Sequence, residues 1–290
     1  MRYVSLATVF AFYAITSNAY ATAIDQPYPI GNFSLPRSQR PGADYSFGST
    51  IIDAGQAQIH VVPDIFKATR QRFFDYSLRL LYGTTDHTSL LLELPMSTVT
   101  TRDVHNKSGF DNFTIQGDYE FYNHPSSTDI EKASLIGSFS PPTGDLGTRA
   151  CTYFIGSVYN HSWSEWMWYA APGISQFIKH NGEQPAPRVY YELGVGRNIS
   201  SETGRYIVTG FLEINGQYDP RIFTSHPVTH SSGGSVLSNG HLLFFSPSLF
   251  FSNPQWLFQI GVSLPITQHW LGTRDKVDYA TAAGIAYTIN

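Results

Sequence analysis

The sequence predicts an all-β protein: a closed antiparallel up-and-down transmembrane β-barrel of about 12 strands. Two patterns predict it. Apolar and polar residues alternate through many segments, and the connections between these segments alternate between short and long. The composition agrees, because charged residues make up 14% of the chain and aromatic residues 15%. A soluble domain usually has about 25% charged residues. A wall that faces lipid explains both departures, since charges are costly there and rings settle at its interfaces.

The clearest strand is Tyr206–Asp219, because side chains alternate between the two faces of a strand. One face is apolar and carries Tyr206 and Tyr218 near its ends, while the other is mostly polar. In a helix, Glu213 and Asn215 would lie among apolar neighbours, so the pattern favours a strand. A soluble antiparallel sheet alternates in the same way. The rest of the chain must decide between these two alternatives.

Eleven further segments show alternation or aromatic enrichment, which gives twelve predicted strands. They are residues 56–62, 73–83, 88–100, 110–123, 133–141, 152–160, 166–178, 189–199, 243–251, 256–268 and 277–290. The faces of 152–160 and 166–178 cannot be assigned, because both segments are rich in aromatic residues. Since hydrocarbon leaves a sheet edge unsatisfied, we expect the final strand to pair with the first.

The connections are sorted by length. Residues 83–86, 124–128, 161–165, 200–204 and 252–254 are short, whereas 102–109, 142–149, 180–187, 220–240 and 269–275 are longer. Short turns at one end and long loops at the other are typical of outer-membrane barrels, and a soluble sandwich has no reason to show them. The connection near 65–71 is short and breaks the pattern.

The first 23 residues are predicted to be a signal peptide. Met1–Arg2 supplies a positive start, 3–15 is an apolar run, and Ala21 and Ala23 end two small-x-small cleavage sites. No later window reaches the roughly 18 apolar residues of a spanning helix. Residues 24–53 are predicted to be an irregular leader and 54–290 an outer-membrane barrel. We therefore expect the cell outer membrane of a Gram-negative bacterium, with its lipid and its barrel assembly machinery as partners.

Polar residues on the predicted inner face suggest a water-filled pore. They are Asp75, Glu93, Asp118, Glu120, Glu192, Glu213 and Asp278, with Arg79 as the clearest base. So many buried acids need water or partners. Rings of acids favour cations, so the expected partner is a small-molecule solute that is cationic or neutral and polar. In the alternative, these acids hydrogen-bond an interior plug of side chains.

Other chemistry has weak support in the sequence. His226, His230 and His241 lie in or beside a long Gly/Ser-rich loop without a defined ligand pattern, so we expect no metal and no cofactor. The net charge of −4 gives no basic footprint for nucleic acid. The chain has one cysteine, Cys151, and hence no internal disulfide. No catalytic residue is expected, and Asp118 with Glu120 is interpreted as lining rather than as an acid/base pair.

Five short stretches, in a shared order, resemble a family of bacterial outer-membrane transporter-like proteins assigned to the MetA pathway of phenol degradation. They are Ser-Gly-Phe-Asp-Asn-Phe at 108–113, Ile-Gly-Ser-Phe-Ser-Pro-Pro-Thr-Gly at 136–144, Leu-Glu-Ile-Asn-Gly at 212–216, Ser-Pro-Ser-Leu at 246–249 and Gly-Val-Ser-Leu-Pro-Ile at 261–266. Asn112 and Ser248 depart from the family, which usually has an acid and a glycine there. The resemblance implies a porin-like barrel and assigns no solute.

The predicted function is that of an outer-membrane porin-like channel for passive passage of small solutes, cationic or aromatic. A non-conducting surface barrel for adhesion or host contact is the first alternative. An outer-membrane phospholipase is the second, because such enzymes use about twelve strands and a Ser-His pair. Here Ser238 and His241 stand in the wrong order, and His161-Ser162 lies at a short turn.

Overall fold

A computed structural model describes residues 31–42, 51–69, 71–101, 104–146, 150–178, 187–219, 240–270 and 276–289. The predicted signal peptide, the loop 220–239 and Asn290 lie outside these residues. Within them, no helix is long and apolar enough to cross a membrane.

The chain forms thirteen β-strands and two short 3-10 helices, Gly31–Phe33 and Arg37–Gln39. The strands are β1 (Ala57–Ala68), β2 (Gln71–Thr85), β3 (Thr88–Thr101), β4 (Val104–Phe110), β5 (Thr114–Pro125), β6 (Asp129–Ser140), β7 (Thr152–Trp163), β8 (Trp166–Phe177), β9 (Arg188–Glu202), β10 (Tyr206–Asp219), β11 (Gly240–Ser252), β12 (Trp256–Trp270) and β13 (Val277–Ile289). All of them except β4 lie on segments that are predicted to be strands. β4 occupies residues that the sequence pattern assigns mostly to the connection 102–109, so the prediction of a long loop there is wrong.

The strands close into a single antiparallel ring. Sequence neighbours pair with each other except β4 and β5, and β13 pairs with β1 from Ala57↔Ile289 onward. β4 and β5 both pair with β3, at successive positions along it, and so form one interrupted wall element. The wall therefore has 12 elements, which confirms the predicted closed barrel. Pairing of the last strand with the first closes the ring, and among the described strands only β4 has a single partner, β3.

The strand boundaries differ most from the predictions in β1 and in the segment 110–123. β1 runs past Pro63 to Ala68, whereas the sequence suggests an end at residue 62. The segment 110–123 is not one strand, because residues 111–113 leave the ladder between β4 and β5. At this break the buried Asn112 accepts hydrogen bonds through Oδ1 from the backbone N–H groups of Thr143 (2.9 Å) and Gly144 (3.0 Å). This staple joins two of the five stretches quoted above.

The outer surface of the wall is apolar. Every strand contributes at least one large exposed apolar or aromatic side chain, among them Ile59, Leu80, Leu212 and Ile260. Exposed aromatic residues collect near the two ends: Tyr82, Tyr122, Trp163, Trp166, Trp256 and Tyr287 at the short-turn end, and Phe110, Tyr153, Tyr191 and Tyr218 at the long-loop end. A continuous apolar band between two aromatic girdles is the surface of a barrel that spans a bilayer.

The chain ahead of β1 enters the barrel at the short-turn end. Residues 31–42 and 51–56, named here the N-terminal plug, contact the inner wall and the short turns. The backbone N–H of Asn32 donates to the Ser164 carbonyl (2.8 Å), and that of Gly204 donates to the Ser34 carbonyl (2.9 Å). Ile52 packs with Leu81 and Leu91. The plug therefore fills this end of the bore.

Candidate functional site

The long-loop half of the bore contains a cavity of about 430 Å³. Its lining comes from β3 and from β5 through β9, together with the break between β4 and β5. The lining residues are Glu93, Pro95, Asp111, Asn112, Thr114, Gln116, Ser138, Ser140, Thr152, Phe154, Ser175, Phe177, Arg188 and Tyr190. Side chains from so many wall elements meet because alternate residues of each strand point into the ring.

Arg79 and Glu93 form an ion pair on this inner wall. They lie directly opposite each other on β2 and β3, with Arg79 Nε 2.8 Å from Glu93 Oε1. Arg79 therefore partly neutralises Glu93, one of the predicted acids, from within the barrel wall. Glu93 also borders the cavity, so its charge faces any solute there.

Two aspartates on β1 and β2 form an acidic pair nearby. Asp75 on β2 is directly opposite Asp64 on β1. Oδ1 of each is buried without a hydrogen-bond partner in the described part of the chain, as is Oε2 of Glu192. Buried carboxylate oxygens require water, a cation or a donor group of a solute. Asp64 is not among the predicted site residues, because Pro63 suggests the end of a strand. The alternation His60, Val62, Asp64 carries the signal.

Glu213 lies on the opposite side of the bore and is 0% exposed. Its Oε1 accepts a hydrogen bond from the hydroxyl of Tyr169. Tyr169, Gly194 and Glu213 occupy one row across β8, β9 and β10, so the ring crosses the glycine to reach the acid. A Cβ at Gly194 would overlap that ring. Here the acid is bound by the wall's own side chain, which matches the alternative of an interior filled by side chains.

Glu120 anchors the N-terminal plug. Arg37 forms an ion pair with Glu120, whose oxygens also lie 3.8 Å from Lys132 Nζ and 3.5 Å from His87 Nδ1. The Arg37 guanidinium donates a further bond to the Asp86 carbonyl at 2.6 Å. These bases come from the leader, from β6 and from the turn between β2 and β3, and the sequence pattern does not indicate them. At this end the charge of the predicted acid is therefore compensated.

Arg40 is a second cation of the plug. Its guanidinium lies over the ring of Phe33, 5.5 Å from the centroid. Burial lowers the pKa of Arg40 from its ordinary value, and neighbouring Arg37 adds to that shift. Asp53 and Glu120 act in the opposite direction. The plug is thus held by charge as well as by hydrogen bonds.

The two remaining predicted acids differ in surroundings. Asp118 is buried and its Oδ1 accepts a hydrogen bond from Gln116 Nε2 at 3.0 Å. Asp278 lies at a register shift of β13, is partly exposed, and has Oδ2 3.7 Å from Lys67 Nζ. Asp278 therefore belongs to the long-loop end of the β1–β13 seam and is not brought together with the other acids.

The structure describes some of the histidines and serines that were considered for metal binding and for the phospholipase alternative. His226, His230 and Ser238 lie outside the described residues. His241 bonds to the hydroxyl of Tyr191. His161 and Ser162 are successive residues of β7, so their side chains point to opposite faces of the wall. Ser162 donates to Asn160 Oδ1 at 2.7 Å. The two residues do not form a Ser-His pair.

The fold resembles known outer-membrane barrels. No protein-family model matches the sequence, and no curated protein matches it. Among solved structures, the COG4313 outer membrane channel from Pseudomonas putida F1 is similar with a TM-score of 0.61 and 11% identity, covering 82% of this chain and 97% of that chain. The NanC porin gives a TM-score of 0.48 at 10% identity, covering 79% and 98%. The KdgM porin in complex with disordered oligogalacturonate gives 0.45 at 9% identity, covering 80% and 99%.

With identities of 9–11%, these similarities do not assign the chain to a family. The first of them establishes the fold, a transmembrane barrel like that of an outer-membrane channel. The resemblance to the phenol-pathway family stays a prediction.

Proposed function

We propose that the protein is a porin-like channel of the bacterial outer membrane, exported by its signal peptide, which passes small cationic or aromatic solutes. The observation that carries the proposal is the cavity of about 430 Å³ inside a closed ring whose outside is apolar. Small-molecule sites in proteins usually measure roughly 300–1,000 Å³. A space of this size, lined by both polar and aromatic side chains inside a bilayer-spanning wall, suits a solute path.

The charge of the inner wall supports a preference for cations. In the long-loop half and the middle of the bore, Asp64, Asp75, Glu93, Glu192 and Glu213 face inward against Arg79 and Arg188. Two of these acids are opposite neighbours, and buried oxygens of Asp64, Asp75 and Glu192 lack partners in the described chain. A cation or a hydrogen-bond donor in the bore satisfies such oxygens.

Aromatic residues in the same cavity support aromatic solutes. Phe154, Phe177 and Tyr190 line it, and the rings of Phe154 and Tyr190 lie 6.0 Å apart in an edge-to-face arrangement. A flat ring held between aromatic side chains gains dispersion and quadrupole interactions.

The N-terminal plug favours a second candidate, a non-conducting surface barrel. Gln39 of the plug is fully buried and bonds to Ser252 and Thr288, so the short-turn end is occupied. For a channel, passage requires that the plug shifts. For a surface barrel, it stays.

A planar-bilayer recording of the purified protein separates the candidates. Stepwise currents, with a reversal potential in a KCl gradient that indicates cation selectivity, support the channel. Addition of benzylammonium, phenol or benzoate then tests the solute, with block by the first two and little by the third expected. Silence without ester hydrolysis supports the surface barrel, and silence with hydrolysis in detergent supports a phospholipase.

Glu93→Gln tests the charge argument. Removal of this carboxylate leaves Arg79 without its partner at the cavity, so the reversal potential should move toward anion selectivity. Glu165→Gln is the matched control, because Glu165 is exposed outside the bore near Arg197. An equal shift in both variants, or none in Glu93→Gln, contradicts an acidic selectivity region at this position.

A further inference from the structure

Three potential metal ligands converge on the outer face of the wall at the short-turn end. Glu131 on β6 is directly opposite His161 on β7, and Asp129 lies two residues before Glu131 on the same face. One ligand atom from each of the three side chains lies within 4.8 Å of the other two. The strand register brings them together, since cross-strand partners and i, i+2 residues share one patch of a sheet.

Neighbouring groups orient both carboxylates. Oδ1 of Asp129 accepts hydrogen bonds from the hydroxyls of Ser126 and Thr128, in the turn between β5 and β6. Its other oxygen lies 3.1 Å from His161 Nε2. The hydroxyl of Tyr122 donates to Glu131 at 3.0 Å. Hydrogen bonds of this kind hold the ligands of metal sites in place.

The distances suit a shared ion. Two donors bound to one tetrahedral zinc ion at about 2.0–2.1 Å are roughly 3.3 Å apart. The 3.1 Å separation of Asp129 Oδ2 and His161 Nε2 is close to that value. A carboxylate oxygen of Glu131 lies within 4.8 Å of both atoms.

The electrostatics also favour a cation. Two carboxylates share this patch at the level of the aromatic girdle, beside Trp163, whose ring centroid lies 4.1 Å from that of His161. In the part of the chain that the structure describes, their only recorded charged partner is His161. A single imidazole neutralises at most one of two negative charges, and lipid around the girdle raises the cost of the second.

We infer that Asp129, Glu131 and His161 bind a divalent transition-metal cation, with Zn²⁺ as the best match. One imidazole and two carboxylates form a ligand set that zinc accepts, and water completes the coordination. Ca²⁺ binds more weakly here, because it prefers six to eight oxygen ligands. The ion joins β6 to β7 on the outer face. It lies next to Trp163, whose carbonyl accepts a hydrogen bond from Asn32 of the plug at 3.1 Å.

The test is a calorimetric titration of the folded, detergent-purified protein with Zn²⁺ alone and with Ca²⁺ alone. We expect one Zn²⁺ site, at least tenfold weaker in His161→Gln and in Glu131→Gln, and a Ca²⁺ affinity at least tenfold below that for Zn²⁺. The temperature at which the folded band is lost on gels should rise with Zn²⁺ in wild type and not in His161→Gln. Gel mobility of unboiled samples verifies that each variant is folded.

Two controls distinguish this site from other histidines. His124→Gln removes a nearby histidine stacked on Tyr122, and His226→Gln with His230→Gln removes the pair in the long loop. Both should bind Zn²⁺ as wild type does. Unchanged binding in His161→Gln, loss of binding in the loop variant, or equal affinity for Ca²⁺ overturns the inference.

Discussion

Glycines of β9 make room for the ring side chains that fill the bore. Tyr169 crosses Gly194 to bond Glu213, and Phe211 lies over Gly196 and packs with Met167 and Phe250. A Cβ at either glycine would overlap the neighbouring ring, so a larger residue forces that ring to shift. The two glycines therefore decide how far side chains extend across the bore.

Gly194→Ala should destabilise the barrel by about 1–3 kcal/mol, because the added methyl group overlaps the Tyr169 ring and displaces it from Glu213. The midpoint temperature for loss of the folded band measures this. Gly137→Ala is the matched control, because nothing lies within 4 Å of a Cβ there. Equal midpoints for the two variants refute close packing at Gly194.

Leu212→Arg tests the outward face of β10. Leu212 is 50% exposed near the middle of its strand, and an arginine at the bilayer midplane costs about 2–4 kcal/mol. Tyr218→Arg lies on the same face at the long-loop end, where the cost falls to about 0–1 kcal/mol. Folding yield and urea unfolding in lipid vesicles compare the two. Similar stabilities would show that this face does not span a bilayer.

For single residues, the alternation predicts which face of the wall a side chain is on, but it does not predict which group that side chain contacts. It separates Leu212 from Glu213, and the structure has the first exposed and the second buried. It cannot show that Glu120 pairs with Arg37, because 83 positions separate them in the chain. It also misses Asp64, since Pro63 lacks the N–H that a central strand normally uses.

Among the structural elements, the N-terminal plug accounts for part of the polar inner face, because wall residues hydrogen-bond to it. Gln58 donates to the Ser38 carbonyl at 2.8 Å, and Gln259 donates to the Gly42 carbonyl at 3.3 Å. These wall residues face inward, as alternation predicts. Their polarity serves the plug and not water, which the sequence of a Pro- and Ser-rich leader does not reveal.

Arg37→Ala combined with Gln39→Ala should loosen the plug, because the change removes the ion pair to Glu120 and the bonds to Ser252 and Thr288. Planar-bilayer recordings should show larger or more frequent current steps than wild type. Arg205→Ala is the control, since Arg205 is exposed and pairs with Glu202 in its own turn. Wild-type currents in the double variant would mean that the plug does not limit conduction.

The sequence predicts where strands occur better than it predicts where a strand is interrupted. All twelve predicted segments form strands, because the outward apolar stripe is present in each. The break between β4 and β5 is not visible, since it depends on Asn112 accepting bonds from a distant loop. The position is one at which the sequence departs from the resembled family, and an amide oxygen accepts there as a carboxylate would.

For the whole molecule, the pairing of β1 with β13 closes the sheet by hydrogen bonds. The chain has one cysteine and 14% charged residues, so neither an internal disulfide nor a large number of ion pairs holds the wall together. Every described strand except β4 has at least two hydrogen-bonded neighbours, so the ring itself presents no open edge to lipid. The predicted sorting of connections holds for most of the wall. The exceptions are the short link between β1 and β2 and the predicted loop 102–109, most of which is strand β4.

The plug is bound by groups from almost the full length of the chain. They belong to Gln58, Asp86, Glu120, Ser164, Gly204, Ser252 and Thr288. Contacts of such separation form only after the intervening segments are in register. An unfinished ring therefore offers the leader a fraction of its docking surface. The plug therefore gains its full set of partners only when the ring is closed.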